Sequence, residues 1–297
     1  MGIHESKGDW AMITPTTFTE KLLFTTVRIE AVHRSGRVAV GTGFHFSAKV
    51  DDSRTLPLII TNKHVIKEAI TGRFQVHEAE RSGTQSRPSG RFFTVEIEEF
   101  EQHWIGHPDP SVDLCAMPFQ PLRVQAEEDG KVIFNVSFDE SLVLSDQKLK
   151  ELSAVEDVLM AGYPIGLWDE KNNLPLIRRG ITASHPALDF CGRPEFLIDA
   201  ACFPGSSGSP VLLANFGSYY TKDGSLVVGT RLALLGVLYA GPQMTVEGKI
   251  VAKPIPTTVE PVSEARVMIH LGYVIKAREI LNLAQYIIQQ VRDRSQL

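Results

Sequence analysis

The run Asp199-Ala-Ala-Cys-Phe-Pro-Gly-Ser-Ser-Gly-Ser-Pro-Val-Leu-Leu213 carries the sharpest chemical signal in this sequence. A serine hydroxyl is a weak nucleophile by itself. It needs an exposed position, a neighbouring base, and backbone N–H groups aimed at the oxyanion that forms when it attacks a carbonyl. Ser207 lies between Gly205 and Gly208 in a tight turn that joins two apolar strands, a setting that can supply all three. The N–H groups of Gly205 and Ser207 are the candidate oxyanion donors. Two aspartates compete to orient an imidazole base. Asp109 sits in the turn Pro108-Asp-Pro110, whereas Asp113 opens an apolar strand that can hold a carboxylate against a histidine ring. His103 and His107 are four apart, a metal-ligand spacing on a helix, but Gly106 and Pro108 argue against a helix there. That pair reads as surface loop, with no metal. His45 reads as a strand residue and not as a second base.

The elements that must position these groups are short and β-rich. Apolar runs broken by turn residues cover Phe24–Ala31, Val38–Phe46, Leu58–Thr61, Phe92–Ile97 and Leu114–Phe119. A second set covers Val132–Phe138, Asp157–Ala161, Leu176–Ala183, Glu195–Ala200, Pro210–Leu213, Arg231–Tyr239, Gly248–Val251 and Arg266–Val274. Strands at this spacing predict barrels or sandwiches, with the polar stretch Gln125–Gly130 as the junction between halves. Glu80–Arg91 and Asn215–Gly224 read as exposed loops. The segment Lys276–Arg294 repeats its apolar residues at helical spacing and predicts an amphipathic helix packed onto the second half.

Composition excludes several classes. The 297 residues are 43% hydrophobic and 22% charged with a net charge of -5, which suits a globular chain and offers no broad basic surface for nucleic acid. No apolar run is long enough to span a bilayer, and no basic patch followed by an apolar stretch opens the sequence. The expectation is a cytoplasmic protein without a membrane partner; Met1-Gly2 is a poor fit to a myristoylation site. Cys115, Cys191 and Cys202 are odd in number, lack metal-ligand spacing and sit in apolar contexts, so each reads as a packed free thiol in a reducing compartment.

Gly205-Ser-Ser207-Gly-Ser-Pro210 resembles the Gly-Asp/Asn-Ser-Gly-Gly-Pro nucleophile motif of trypsin-like serine peptidases, and the longer run resembles the bacterial HtrA branch. Other matches follow in that family's order. Gly41-Thr-Gly-Phe44 and Leu58-Ile-Ile-Thr-Asn-Lys-His64-Val resemble the strands leading to the catalytic histidine, and Val112-Asp113-Leu-Cys-Ala-Met117 resembles the segment of the triad aspartate. Ala161-Gly-Tyr-Pro-Ile-Gly-Leu167, Arg179-Gly-Ile-Thr-Ala-Ser184, Leu234-Leu-Gly-Val-Leu-Tyr-Ala-Gly241 and Leu271-Gly-Tyr-Val-Ile275 match later strands. The order His, Asp, Ser differs from the orders found on the α/β-hydrolase and subtilisin folds.

The resemblance implies a mainly β fold of two six-stranded antiparallel β-barrels of the chymotrypsin type with a C-terminal α-helix. It places an N-terminal barrel with His64 and Asp113 in residues 20–125 and a connection with the first strand of the second half in 126–150. A C-terminal barrel with Ser207 follows in 151–275, and the helix in 276–297. It implies a serine endopeptidase in which His64 takes the Ser207 proton and Asp113 fixes the imidazole, working through an acyl-enzyme without cofactor or metal. The specificity pocket falls beside Ala201 and Cys202, with Tyr239, Ala240 and Gly241 as its wall. No acidic residue stands at its base, so the expected cleavage follows small or medium apolar residues and not Arg or Lys. Two competing readings are a peptide-binding module on an inactive copy of the fold and an acyl-ester hydrolase using the same triad.

Departures from the family matter. Ser206 replaces the aspartate that pairs with a new N-terminus in zymogen-activated members, so that ion pair cannot form; control by loop ordering or a separate activating or regulatory protein is the expectation. Ser209 replaces a glycine, which would be costly at a position needing positive φ. The PDZ domain common in the HtrA branch is not expected here, since one terminal helix follows the residues that match the peptidase. The expected partner is a protein or peptide substrate.

Overall fold

The structure, a computed structural model, describes residues 12–82, 85–246, 265–268 and 270–295. The expected strand Gly248–Val251 and the Met1-Gly2 terminus lie outside the described residues. A short capped helix, α1 (Phe18–Leu22), leads into the first half. Its strands are β1 (Thr26–His33), β2 (Val38–Lys49), β3 (Thr55–Thr61), β4 (Ala69–Ser82), β5 (Gln85–Glu98), β6 (Ile105–Gly106), β7 (Cys115–Pro118), β8 (Ile133–Phe134) and β9 (Phe138–Asp139). They form one nine-stranded sheet in the order β5-β4-β1-β2-β3-β7-β6, with β8 paired to β4 and β9 paired parallel to β2. Residues 126–150 therefore return both of their strands to the first sheet and give none to the second half. Between β3 and β4 lies the single turn α2 (Lys63–Ile66), and α3 (Gln120–Glu128) occupies most of the polar stretch read as the junction.

The second half begins after α4 (Asp146–Lys150). Its strands are β10 (Asp157–Gly162), β11 (Leu176–Thr182), β12 (Glu195–Asp199), β13 (Pro210–Asn215), β14 (Ser218–Tyr220), β15 (Leu226–Val228), β16 (Arg231–Ala240), β17 (Gln243–Val246), β18 (Ala265–Met268) and β19 (Leu271–Lys276). Six of them close an antiparallel barrel in the order β10-β11-β12-β19-β16-β13. The pairs β14–β15 and β17–β18 are separate two-stranded ribbons. The chain ends in α5 (Arg278–Ser295). Among the described residues no helix is long and apolar enough to cross a membrane.

Two segments read as loops are hairpins. Glu80–Arg91 pairs across β4 and β5, with Ala79 opposite Pro88 and Glu80 opposite Arg87. Its Ser, Arg, Gly and Pro content suggests a loop, but β5 is an edge strand, where a proline costs no ladder bond. Cross-strand ion pairs, Arg87–Glu80 at 3.0 Å and Arg91–Glu78 at 2.9 Å, align the two strands. Asn215–Gly224 likewise contains β14, whose outward Tyr220 is solvent-exposed.

Alternation along the strands explains why the two halves dock. In β3, Ile59 enters the interior of the first half with Val27, Ile29, Phe74 and Met117, while Leu58 and Ile60 point to the other face. In β13, Val211 and Leu213 fill the second barrel with Met160, Phe196 and Leu235, while Leu212 points outward. Successive residues of a strand face opposite ways, so a strand apolar throughout must be covered on both sides. The outward residues of both halves, among them Phe44, Phe46, Leu58, Ile60, Leu212, Leu234 and Val237, form a third apolar cluster. Helix α5 closes it with Ile280, Leu283, Ala284, Ile287 and Ile288, a stripe at helical spacing. The helix therefore packs on both halves, against β2, β7 and β19, and not on the second alone.

Two histidines are sealed in the first half. His45 lies in β2 with its ring 4.7 Å from that of Phe119, and burial pushes its pKa from 6.5 down to about 3. His77, in β4, gives its Nε2 proton to Asn173 O at 3.0 Å, and burial pushes its pKa down to about 4. Both rings take up protons near pH 6.5 in the unfolded chain and resist them in the folded one, so folding stability falls as pH drops below 6.5. Each histidine contributes a slope of up to about 1.4 kcal/mol per pH unit. The urea midpoint should decline between pH 6.5 and pH 5, less steeply in His45→Phe; a flat midpoint over that window would contradict the burial of these rings.

Candidate active site

His64 is delivered by the end of β3. Asn62 is still extended, with φ -89° and ψ 146°, and α2 then turns the chain so that the histidine faces outward. Asp113 does not open the strand as expected but lies in the segment just before β7, which pairs with β3 through Thr61 and Cys115 and so brings the aspartate beside the histidine. Asp113 then holds His64 at two points. One carboxylate oxygen accepts the His64 backbone N–H at 3.1 Å, and the other meets ring Nδ1 at 2.5 Å. Asn62 donates its side-chain amide to the Asp113 carbonyl at 2.8 Å, fixing the aspartate in turn. With Nδ1 committed as the donor to a carboxylate, Nε2 carries the ring's basic lone pair.

Asp109 does not reach the histidine. Its carboxylate accepts from the N–H of Ser111 at 2.8 Å and from the Ser111 hydroxyl at 2.7 Å, and these bonds hold its pKa below the usual range. Lys63 anchors the same turn by donating to the carbonyls of His107 and Asp109. His107 is buried and not part of a surface loop, because the first turn of α5 covers it: its Nε2 lies 3.4 Å from the Glu279 carboxylate. His103 is exposed in a 3-10 turn. Among the described residues no three His, Cys, Asp or Glu side chains gather as a metal site.

The Ser207 turn is built on two left-handed glycines, Gly205 and Gly208, each at φ +86°. A Cβ at Gly208 would come within 1.9 Å of Thr42 O, and one at Gly205 within 2.4 Å of Tyr163 O. Thr42 grips the turn from the first half, donating its N–H to Ser207 O at 2.8 Å and its hydroxyl to Gly205 O at 3.0 Å. Ile165 N–H donates to Pro204 O at 2.6 Å. In a trans peptide that turns the Gly205 N–H to the side opposite Ile165. Neither the Gly205 nor the Ser207 N–H has an acceptor among the described residues. The Ser207 hydroxyl rests 3.4 Å from Tyr239 O, and no hydrogen bond joins it to His64 in this resting arrangement.

Ser209 does not adopt positive φ, so its departure from glycine carries no backbone strain. Its buried hydroxyl has no hydrogen-bond partner, and room for it comes from Gly162. Around the expected pocket, Ala201 is half-buried and Cys202 buried, with the Cys202 sulfur against Gly272. Tyr239 turns its carbonyl to Ser207 and its hydroxyl to Glu195, 2.5 Å away; burial and that carboxylate push its pKa up. Ala240 and Gly241 are half-buried at the end of β16. A cleft of about 350 Å³ next to Asp113 is lined by Arg193, Glu195, Tyr239 and Ile275. Of the cysteines, Cys115 and Cys202 are buried, but Cys191 is exposed in a turn at φ +52°, because its neighbours Phe190 and Gly192 follow the surface.

Sequence reasoning missed three contributors. Thr42 and Asn62 stand inside motifs already singled out, between two glycines and just before Lys63-His64, but nothing in those motifs marks them as hydrogen-bonding partners. Arg178 gave no signal at all. It lies in β11, and its guanidinium passes under the nucleophile turn, donating to Ala201 O and, at 2.7 Å, to the Ser206 hydroxyl.

A family model described as trypsin-like peptidase domain matches residues 41–217. Among solved structures, the chain is similar to the HtrA-type protease AlgW with tripeptide, at 17% identity and a TM-score of 0.47, over 92% of this chain and 62% of that one. It is also similar to the Rv3671c protease from M. tuberculosis in its active form, at 16% identity and a TM-score of 0.41, over 94% of this chain and 91% of that one. The chain thus spans less than two thirds of the AlgW length. No curated protein matches it in sequence.

The exchange of volume between Ser209 and Gly162 can be tested. In Gly162→Ala the new Cβ would fall 2.1 Å from Ser209 Oγ and 2.8 Å from Thr42 Oγ1. That variant should lose about 1–3 kcal/mol in urea unfolding, as overpacked cores do. Adding Ser209→Gly should return part of the loss; an equal deficit in both variants would refute the coupling.

Proposed function

This chain belongs to the trypsin-like peptidase domain family, and on that premise we propose that it is a serine protease that cuts peptide bonds with His64, Asp113 and Ser207 as its triad. The single observation that carries the assignment is the double hold of Asp113 on the backbone and ring of His64, which leaves Nε2 as the proton acceptor.

In the proposed reaction the Ser207 side chain rotates from Tyr239 O toward His64 Nε2, a shift of the kind by which resting catalytic hydrogen bonds tighten when substrate arrives. Oγ attacks the substrate carbonyl carbon while its proton passes to Nε2. The carbonyl electrons move onto oxygen, and the N–H groups of Gly205 and Ser207 stabilise that charge. The C–N bond then breaks, the leaving amine takes the proton from His64, and the acyl group stays on Oγ. Water attacks the ester, giving a proton to His64; the C–Oγ bond breaks and Oγ recovers that proton. Asp113 keeps the ring oriented and stabilises the imidazolium in both halves of the cycle. Substrate would lie extended along Tyr239, Ala240 and Gly241, paired by main-chain hydrogen bonds.

For specificity we propose small or medium apolar side chains at the cleaved residue. Ala201 supplies no carboxylate at the pocket base, and the guanidinium of Arg178 already holds its carbonyl, so a cationic substrate group would meet a like charge and no partner.

A fluorophosphonate probe should label the native chain and not Ser207→Ala. Asp113→Asn should lower turnover by about 10⁴-fold, the loss this change brings where an aspartate sets the histidine tautomer. A native chain that resists the probe would sink the triad reading. Cleavage of a peptide library mainly after Arg or Lys would sink the pocket reading while leaving the triad intact.

A further inference from the structure

Arg178 is a cation placed where hydrophobic chemistry alone would not put one. It sits opposite Met160 in the barrel register, and its side chain runs inward beneath the turn that carries Ser207. Among the described residues its hydrogen bonds go to Ala201 O, Ser206 Oγ and the Met160 sulfur and not to a carboxylate, and its Nε is buried without a partner. Burial opposes its charge, holding its pKa below the usual arginine range. A partly buried, unpaired charge is costly to keep. What offsets the cost here is a pair of charge-assisted hydrogen bonds, one from each terminal nitrogen, to Ala201 O and to Ser206 Oγ.

The location of those two acceptors gives the arginine its meaning. Ala201 precedes and Ser206 follows the Phe203-Pro204-Gly205 stretch, whose peptide orientation decides where the Gly205 N–H points. Ser206 is fully buried, with its N–H on Phe203 O and its own carbonyl accepting from Ser209 N–H, so it forms the inner corner of the turn. A planar guanidinium that bonds both ends of the stretch fixes their separation, which an ammonium on a flexible stem cannot do.

We propose that Arg178 is a positioning residue: an internal brace that holds the nucleophile turn with the Gly205 and Ser207 N–H groups set for the oxyanion, so that no new N-terminus is needed to order it. The proposal rests on the triad reading above. Both terminal nitrogens are spent on the chain itself, which distinguishes this role from direct contact with substrate.

The test uses the full chain with Arg178→Met, Arg178→Lys, Ser206→Asp and the double variant Arg178→Met/Ser206→Asp. Readouts are the rate of fluorophosphonate labelling, kcat and KM on a fluorogenic peptide with Ala at the cleaved position, and the urea midpoint. Arg178→Met should lower kcat and the labelling rate by about 10² with KM nearly unchanged, the size of effect expected when one oxyanion donor is misplaced. Arg178→Lys should recover only part of this. Ser206→Asp should be tolerated beside the arginine, in both stability and labelling, but should be severely damaging in the Arg178→Met background, where its carboxylate is buried alone. Additive effects in that cycle would overturn the brace, as would a native preference for Glu or Asp at the cleaved residue that vanishes in Arg178→Lys, since the arginine would then be a substrate contact. If the native chain resists the probe, the triad reading fails and the urea cycle by itself decides whether the brace exists.

Discussion

Everything at the site depends on the docking of two apolar faces that neither half can cover alone. Phe44, Phe46, Leu58 and Ile60 on one side meet Leu212, Leu234 and Val237 on the other, and α5 seals the layer with Ile280, Leu283 and Ile287. Each such side chain contributes roughly 1.5–3 kcal/mol when fully buried. A cluster of this size therefore fixes the relative position of β3 and β13 far more firmly than any single polar contact across the seam. That matters because His64 follows β3 and Ser207 precedes β13. The helix is thus part of the same device as the strands: without it the seam would present its apolar residues to water.

How much of this was legible in the sequence varied with the kind of signal. The Ser207 turn could be read because its glycines are demanded by geometry, with backbone atoms of Thr42 and Tyr163 too close for any side chain. The contest between Asp109 and Asp113 could be framed from context, since a carboxylate flanked by prolines tends to serve its own turn, as Asp109 does with Ser111. The strand pairings of Glu80–Arg91 could not be read. Local composition spoke for a loop there, while the pairing is decided by a partner strand and by ion pairs across it. His107 and Cys191 were misjudged for the same reason: whether a residue is covered depends on an element distant in sequence, α5 in the first case and none in the second.

Arg178 shows the limit most clearly. Leu176-Ile-Arg-Arg-Gly-Ile-Thr182 places two arginines side by side in a strand, and alternation requires that they face opposite ways. Pattern alone gives no means of telling which one is inside. Arg179 lies on the surface, paired with Asp157 at 2.9 Å, while Arg178 enters the barrel. Ordinary expectation would bury neither, because an arginine inside a barrel is costly unless backbone and hydroxyl acceptors wait for it. Those acceptors, Ala201 O and Ser206 Oγ, belong to the very turn whose residues departed from the family pattern.

The two halves contribute different finished parts, and one residue registers them. The Asp113–His64–Asn62 unit is complete within the first sheet, and the 201–209 turn is complete within the second half. Across the seam Thr26 and Tyr163 share a hydroxyl contact, and Arg28 donates to Gly166 O, but both lie away from the nucleophile itself. Among the described residues of the first half, only Thr42 bonds to the Ser207 turn directly, with its N–H on Ser207 O and its hydroxyl on Gly205 O, while its own carbonyl accepts the Thr61 hydroxyl at 2.7 Å from the strand that leads to His64. A displacement of β3 relative to the turn must therefore strain a chain of three hydrogen bonds that runs through one residue, and the Thr61–Thr42 link is buried where no water can replace it. The apolar seam holds the halves together, and this short polar chain sets the local register where the turn meets the first sheet. Thr42 thereby ties the Ser207 turn to the strand that delivers His64.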